Sequence, residues 1–421
     1  MHKIFLLFAI FFTFNACSLI QEKHVKANEI AFEGEDMCIL FALRAEQMQE
    51  YNSAAVLFQE LYERSLKKEY LYRSLENDLI AKNSERVIQR VDTFLLTSSY
   101  DPKVVRFKVI ALFELNRLDE ARDLGVLLAS ITKEPNDYLL TSEIYIKRQE
   151  FDIAVKYLES AYAKEHSPEI LDKMSIILYV NLGRKKEAIA HLETHSRIIS
   201  CSQQICSRLI AFYSNDNNLD GLLSTYLRLY ERDKSDALTK KIVQIYVYKR
   251  DYTHLISFLE KSHSDDVLLL QLYSSSKKYN KAYLLANKLY ESSSDVNYLG
   301  QSAIFEYEVA KNKDDMQLLN RVTSKLYKVI ENRAEPIYLN YLGYLLIDHE
   351  IDIQKGMAFI DQVLVLKPDS AFYLDSQAWG YYKLGKCKRA KSIMERVITL
   401  EGGNEKEVLD HLEAINKCTK K

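Results

Sequence analysis

Glycine and proline are scarce in this chain, 11 and 5 residues of 421. A β-sandwich or α/β domain of such length needs many more residues that take positive φ or break a run. That shortage points to helices throughout. One-sided charge is missing too: 57 basic and 59 acidic side chains are well mixed and leave a net charge of −2. No Lys/Arg run exceeds a few residues, so there is no electrostatic footprint for nucleic acid. Catalytic signatures are also absent. We find no Gly-rich phosphate loop, GxSxG elbow, HExxH helix or CxxC pair. His191 and His195 stand one helical turn apart, a spacing that can share a metal. Only Glu187 precedes them as a third donor, and a solvated helix face accounts for all three. Asp265-Asp266 and Asp314-Asp315 read as loop or helix-start charges. The sequence therefore predicts no metal, no cofactor and no enzyme activity. What the chain has is apolar side chains, 48% of the total, enough for a substantial core.

Those side chains recur. The pairs Gly356/Ala390, Ile360/Met394, Val363/Val397 and Leu366/Leu400 are each 34 apart. Traced backwards, a small or aliphatic residue early in each second helix gives the series Ala54, Val87, Ala121, Ala154, Ala188, Leu222, Leu255, Ala282, Val322, Gly356 and Ala390. The steps are 33 or 34 except for 27 and 40 on either side of Ala282, which predicts a trimmed loop and then an insertion near Lys311–Asp315. Tyr145, Tyr179, Tyr213, Tyr246, Tyr273, Tyr307 and Tyr381 form a second series late in the first helices. Each unit also reads locally as a helical hairpin. In residues 136–168, Gln149-Glu150 is the polar turn, and Ser167-Pro168 opens the next unit.

A period of 34 built from two helices resembles the tetratricopeptide unit. The resemblance implies an all-α, right-handed superhelical solenoid of about eleven hairpins over residues 35–403. One hairpin cannot bury its apolar face alone, so stacked neighbours should share a continuous core. A solenoid also needs a polar cap, and residues 404–421 supply an amphipathic helix with Val408, Leu412 and Ile415 on one stripe.

The first residues predict a compartment. Met1-His2-Lys3 is a short basic start, and Ile4 to Phe14 is apolar but too short to span a bilayer. It fits the h-region of a signal peptide. Ala16-Cys17 then resembles a bacterial lipoprotein signal, with Phe14 where such signals usually carry Leu. The resemblance implies that residues 1–16 are removed, that Cys17 is lipidated, and that 17–34 form a tether. Ser18 rather than Asp then implies the outer membrane, facing the periplasm. An ordinary cleaved signal or an anchored N-terminus, with Cys17 incidental, is the alternative.

In an oxidising compartment the other cysteines can pair. If the last second helix and the cap pack antiparallel, Cys387 and Cys418 lie equally far from the turn between them and face each other. Cys201 and Cys206 can pair only if Cys201 lies before its helix. Cys38 reads as a small interior residue.

In the tetratricopeptide family, ligands lie along the face lined by first helices. Carried over by register, that face presents Asn340, Tyr341, Tyr344, Asp375, Trp379 and Tyr382 in the last two units. Aromatic anchors with amides and carboxylates suit an extended peptide or a partner helix. Packing between units or against the cap is the other reading. Further back, Lys103, Arg106, Phe107, Lys173, Arg208, Lys240 and Lys241 make a mildly basic mid-section, either a solvated face or a site for acidic surfaces.

The stretches YLNYLGYLLID and YLDSQAWGYYKLG are similar to the C-terminal repeats of large bacterial tetratricopeptide lipoproteins of the outer membrane. Some of these are adaptors that bring a periplasmic C-terminal-processing protease to the peptidoglycan hydrolases it degrades. The resemblance implies a non-catalytic scaffold or adaptor with other envelope proteins or peptides as partners. Rival readings are an assembly factor for a pilus, flagellar motor or outer-membrane insertion complex, and the superhelix of a cell-wall lytic enzyme. The last needs a catalytic domain with a general-acid Glu, and only the short cap follows the final unit.

Overall fold

The computed structural model describes residues 31–419, and every ordered element in them is helical. The chain divides into two units at Thr225/Tyr226, within the twelfth helix. The first unit holds the helices α1 (Glu35–Gln47), α2 (Tyr51–Ser65), α3 (Lys68–Ile80), α4 (Ser84–Thr97), α5 (Pro102–Glu114), α6 (Leu118–Thr132), α7 (Pro135–Lys147), α8 (Phe151–Glu165), α9 (Pro168–Ile176), α10 (Lys185–Ile198) and α11 (Gln203–Asn215). A π-helical turn, Ile177–Asn181, prolongs α9, and α12 (Leu219–Arg232) carries the division. The second unit continues with α13 (Asp236–Tyr248), α14 (Tyr252–Ser262), α15 (Asp266–Ser275), α16 (Tyr279–Ser293), α17 (Val296–Val309), α18 (Met316–Asn332), α19 (Pro336–Asp348), α20 (Ile353–Leu366), α21 (Ala371–Lys383), α22 (Cys387–Val397) and α23 (Lys406–Cys418). Taken in order these are eleven hairpins and a final helix, the all-α class the period predicts.

Local chemistry sets the helix starts. Pro102, Pro135, Pro168 and Pro336 each stand in the first turn of a helix, where a missing N–H costs nothing. Asp101, Ser167, Ser202, Asp265, Asp295, Asp315 and Asp352 accept from first-turn amides as N-caps. Asp265 and Asp315 are thus helix-start charges. The turn inside ten of the eleven hairpins holds one residue in the left-handed region. In eight of them it is not glycine: Gln49, Lys82, Asn116, Gln149, Asn217, Arg250, Lys277 and Glu350.

The repeated small residue is the fourth of its helix in every second helix but α18, where Val322 is the seventh. Ala54, Val87, Ala121, Ala154, Ala188, Leu255, Ala282, Val322 and Ala390 are fully buried, while Leu222 is half-buried. Gly356 shows why size matters here, because a Cβ on it would lie 2.6 Å from the carbonyl oxygen of Gly343 across the α19–α20 contact. All seven tyrosines of the second series are buried. Tyr179 and Phe212 stack at 3.8 Å between centroids, tying α11 to the turn after α9.

One detail differs from the sequence expectation, and the insertion expected near Lys311–Asp315 falls in the loop between α17 and α18. The short step before Ala282 comes from the helices: α14 has 11 residues and α15 has 10, while no loop is missing. The long step lies in the loop after α17 together with the 17 residues of α18.

Buried charge ties helices together in the first unit, within a hairpin at Asp78 and between successive hairpins at Asp101. Asp78, with no exposure, pairs with Arg90 of α4 and with Arg86 Nε at 3.1 Å. Burial nonetheless pushes its carboxyl up, outweighing both arginines. Asp101 caps α5 and also accepts from Lys68 Nζ at 2.7 Å and Tyr72 Oη at 2.9 Å. Burial opposes ionisation there, but those bonds hold its carboxyl below the usual range. Among the described residues no helix is long and apolar enough to cross a membrane.

Candidate functional site

First helices α17, α19 and α21 place their aromatic residues on a common side in the second unit, and α23 packs on α21 and α22 beside them. Tyr341 of α19 donates its hydroxyl to Glu308 Oε1 of α17 at 2.9 Å. Tyr344, one turn on, donates to Glu407 Oε1 of α23 at 2.8 Å. Trp379 of α21 donates Nε1–H to Asp348 Oδ1 of α19 at 2.8 Å. Three carboxylates are thereby each held by an aromatic donor from another helix.

Tyr307 sits behind them with its hydroxyl 3.0 Å from His349 Nε2, and His349 Nδ1 lies 3.2 Å from Asp314. The hydroxyls of Tyr307, Tyr341 and Tyr344 are all pushed well above the usual phenol range. Burial is the first cause, and the surrounding charges of Glu308, Asp348 and Glu407 add to it. The phenols therefore stay neutral donors.

The cap takes part of the face. His411 Nδ1 donates to Asp375 Oδ2 at 3.0 Å, since a carboxylate only accepts, and its ring stacks on Trp379. Of the predicted contact residues, Asp375 is 6% exposed and engaged by the cap. Tyr341, Tyr344, Trp379 and Tyr382 are half-buried. Tyr382 stacks on Trp379 at 4.7 Å and lines an open cleft of about 590 Å³ with Cys387 and Cys418. Asn340 Oδ1 is buried and has no partner among the described residues. The structure thus brings Tyr341, Tyr344, Asp375, Trp379 and Tyr382 together, and part of their surface packs between helices and against α23. The carboxylates Glu308, Asp348 and Glu407 and the imidazole of His411 complete the group. The only signal for Glu308 is its place next to Tyr307 in the tyrosine series.

The remaining predicted residues fall elsewhere. Cys387 and Cys418 have Cα atoms 5.8 Å apart, and Cys201 and Cys206 5.4 Å, both inside disulfide range. Cys201 lies before α11, as its pairing requires. Cys38 is a half-buried free thiol against the first core cluster. Cys17 lies outside the described residues.

The basic mid-section is largely engaged within the protein. Arg106 Nη2 bonds buried Asp137 at 2.8 Å, Arg208 Nε bonds Asp172 at 2.6 Å, Lys173 pairs with Glu143, and Lys103 lies 4.1 Å from the ring centre of Tyr72. His195 is turned inward, its Nδ1 2.7 Å from Tyr162 Oη. His191 and Glu187 instead meet Glu159 of α8, with one ligand atom of each within 4.8 Å of the others. Arg184 already holds Glu187 through Nε at 2.8 Å.

No family model matches the chain, and no curated protein matches it. Among solved structures it is similar to the APC/C hetero-tetramer Cut9–Hcn1, at 12% identity over 92% of this chain and 91% of that one, TM-score 0.29. A tetratricopeptide repeat protein from Parabacteroides merdae ATCC 43184 is 14% identical over 67% of this chain and 98% of its own, TM-score 0.30. The TPR domain of P58(IPK) is 13% identical over 76% and 99%, TM-score 0.29. At such scores no role transfers from them, and the hairpin architecture rests on this chain's own period and helix order.

Proposed function

We propose that this protein is a non-catalytic scaffold that binds other proteins through the first-helix face of its last hairpins. One observation carries the reading: Tyr344, Tyr382 and Trp379 keep part of their surface exposed on rigid helices beside carboxylates fixed in direction. Half-buried aromatic anchors with oriented polar neighbours are the composition of protein-binding hot spots. Rigid helices also hold the ordering cost of binding down.

The finer reading is an adaptor in the bacterial envelope, tethered to the outer membrane by lipid on Cys17, that presents substrates to a periplasmic C-terminal-processing protease. The lipoprotein-type start and the similarity of the last two hairpins to such lipoproteins support it.

The test is to cross-link a tagged form in intact cells, recover it from membranes, and identify what accompanies it, with Trp379→Ala/Tyr344→Ala alongside. A protease and wall hydrolases, lost in the double variant, support adaptor and face together. Secretion or motility components would make the protein an assembly factor. Partners indifferent to the substitutions would remove the face from the proposal.

A further inference from the structure

The same face carries an excess of negative charge. Glu308, Asp314, Asp348, Glu350, Asp375, Glu407, Asp410 and Glu413 border it, against the ammonium groups of Lys313, Lys383 and Lys417, the last already paired with Glu413. Lys313 pairs with Glu308 at 3.1 Å. Lys383 gives its protons to the main-chain oxygen of Asp348 at 2.8 Å and to Glu350 at 3.2 Å. Two imidazoles complete the titratable set: His349 faces Asp314 and Asp348, and His411 faces Asp375. Among the described residues no Lys or Arg forms an ion pair with Glu407 or with the side chain of Asp348.

The manner of holding matters. Glu407 and Asp348 are oriented by Tyr344 and Trp379, both neutral donors. A neutral donor fixes where a carboxylate points and leaves its charge in place, so the anion remains a pre-oriented acceptor. The aromatic rings beside it are seats for cations, and the chain itself uses two. Lys383 Nζ lies 5.5 Å from the ring centre of Trp379, and Lys313 Nζ 4.5 Å from that of Tyr307.

We infer that the partner segment docked on this face bears lysine or arginine, placing its cations against Tyr344 and Tyr382, with Glu407 and Asp348 as counter-ions and Trp379, stacked between Tyr382 and His411, as the ring that supports them. This rests on the reading above that the face binds protein, and it adds the sign of the partner. Arginine suits the site especially, because its planar fork stacks on rings and meets carboxylates at once.

Trp379 is the only tryptophan of the chain, so its emission reports on this face alone. The experiment titrates the full-length protein in detergent with a short peptide alternating lysine and alanine, and with its glutamate counterpart. The expected result is a saturable change in emission with the lysine peptide alone, with affinity falling roughly tenfold between low salt and about 300 mM. Glu407→Gln should weaken binding about threefold, and adding Asp348→Asn should bring the loss to roughly tenfold at unchanged helicity. Glu407 is exposed, so the single variant remains informative if the double one unfolds. No response to the lysine peptide, equal response to both peptides, or full affinity in Glu407→Gln would overturn the inference. A cellular partner cross-linked to this face through an acidic or uncharged segment would overturn it too, while leaving the scaffold reading intact. Tight lysine-peptide binding with no partner captured in cells would have the opposite meaning.

Discussion

The imidazole of His411 lies on the indole of Trp379, ring centroids 4.0 Å apart and planes 20° from parallel. The final helix therefore touches the same residue that the scaffold reading offers to partners. Whatever loosens α23 will alter the face, and whatever fills the face will be felt by α23.

His411→Ala should free the cap. It removes the stack and leaves Asp375, 6% exposed, without the N–H that Nδ1 provides. A buried acceptor left unmet costs about 1–3 kcal/mol. Amides of α23 should exchange roughly tenfold faster or more in hydrogen–deuterium exchange. Unchanged protection would mean that α23 is held by its apolar stripe, the Cys387–Cys418 bridge and the Tyr344–Glu407 bond, with nothing added by His411.

Peptide mapping of oxidised, unreduced protein should find Cys387 joined to Cys418 and Cys201 to Cys206, with Cys38 free. By chain entropy the longer bridge, with a sequence separation of 31, contributes about 3–4 kcal/mol, and the shorter, with a separation of 5, about 2 kcal/mol. Reduction should therefore speed exchange in α23 far more than in α11. Free thiols at Cys387 and Cys418 in oxidised protein would remove the claim.

In the first unit, Asp78→Ala should be among the costly single changes. It leaves Arg90, largely buried, without its carboxylate. Breaking such a pair from one side costs about 3–5 kcal/mol, whereas Asp119→Ala, at an exposed pair with Arg148, should cost under about 1 kcal/mol. Local exchange, read in α3 and α4 for Asp78→Ala and in α6 and α7 for Asp119→Ala, measures the difference, and similar values for both variants would refute it.

Acidification should act through His195. Burial first, and the neighbouring charge of His166 second, lower its pKa, so the folded protein keeps it neutral where the unfolded chain takes a proton. The unfolded chain then binds more protons, and stability rises with pH. The neutral side chain's contribution is complete above the unfolded value near 6.5 and is lost as pH falls below it. Between about pH 7 and 5 the wild type should lose stability that His195→Gln does not lose. Parallel pH curves for the two would sink the assignment.

Much of the fold was legible because one packing constraint repeats. A side chain at the fourth position of a second helix faces the first helix of its hairpin, so the series from Ala54 to Ala390 betrays ten units this way, and Val322, seventh in α18, marks the other. The tyrosines mark the first helices in the same way. The trimming of α14 and α15 was harder to place, because losing a helical turn and losing a loop shorten the period alike. The π-helical turn at Ile177–Asn181 leaves no mark on the period either. The binding face was half legible. Register found Tyr341, Tyr344, Asp375 and Trp379, but the contacts of Tyr344 with Glu407 and His411 span 63 and 67 residues and follow no period. Nothing in the sequence sets Glu308, Asp348 and Glu407 apart from other carboxylates, and only folding shows that aromatic donors aim them.

The left-handed residue in ten of the hairpin turns gives the chain a set of tuning screws. Side chains other than glycine sit there at a cost of about 1–2 kcal/mol, of which glycine would return part after its own entropy loss. Gln49, Lys82, Asn116, Gln149 and Asn217 all belong to the first unit, whereas the aromatic face is built from residues of the second. Glycine placed there singly and in combination would yield a graded family of proteins, each more stable than the last, with one unaltered docking surface. Such a family would separate what a partner reads on that surface from how firmly the rest of the array must stand.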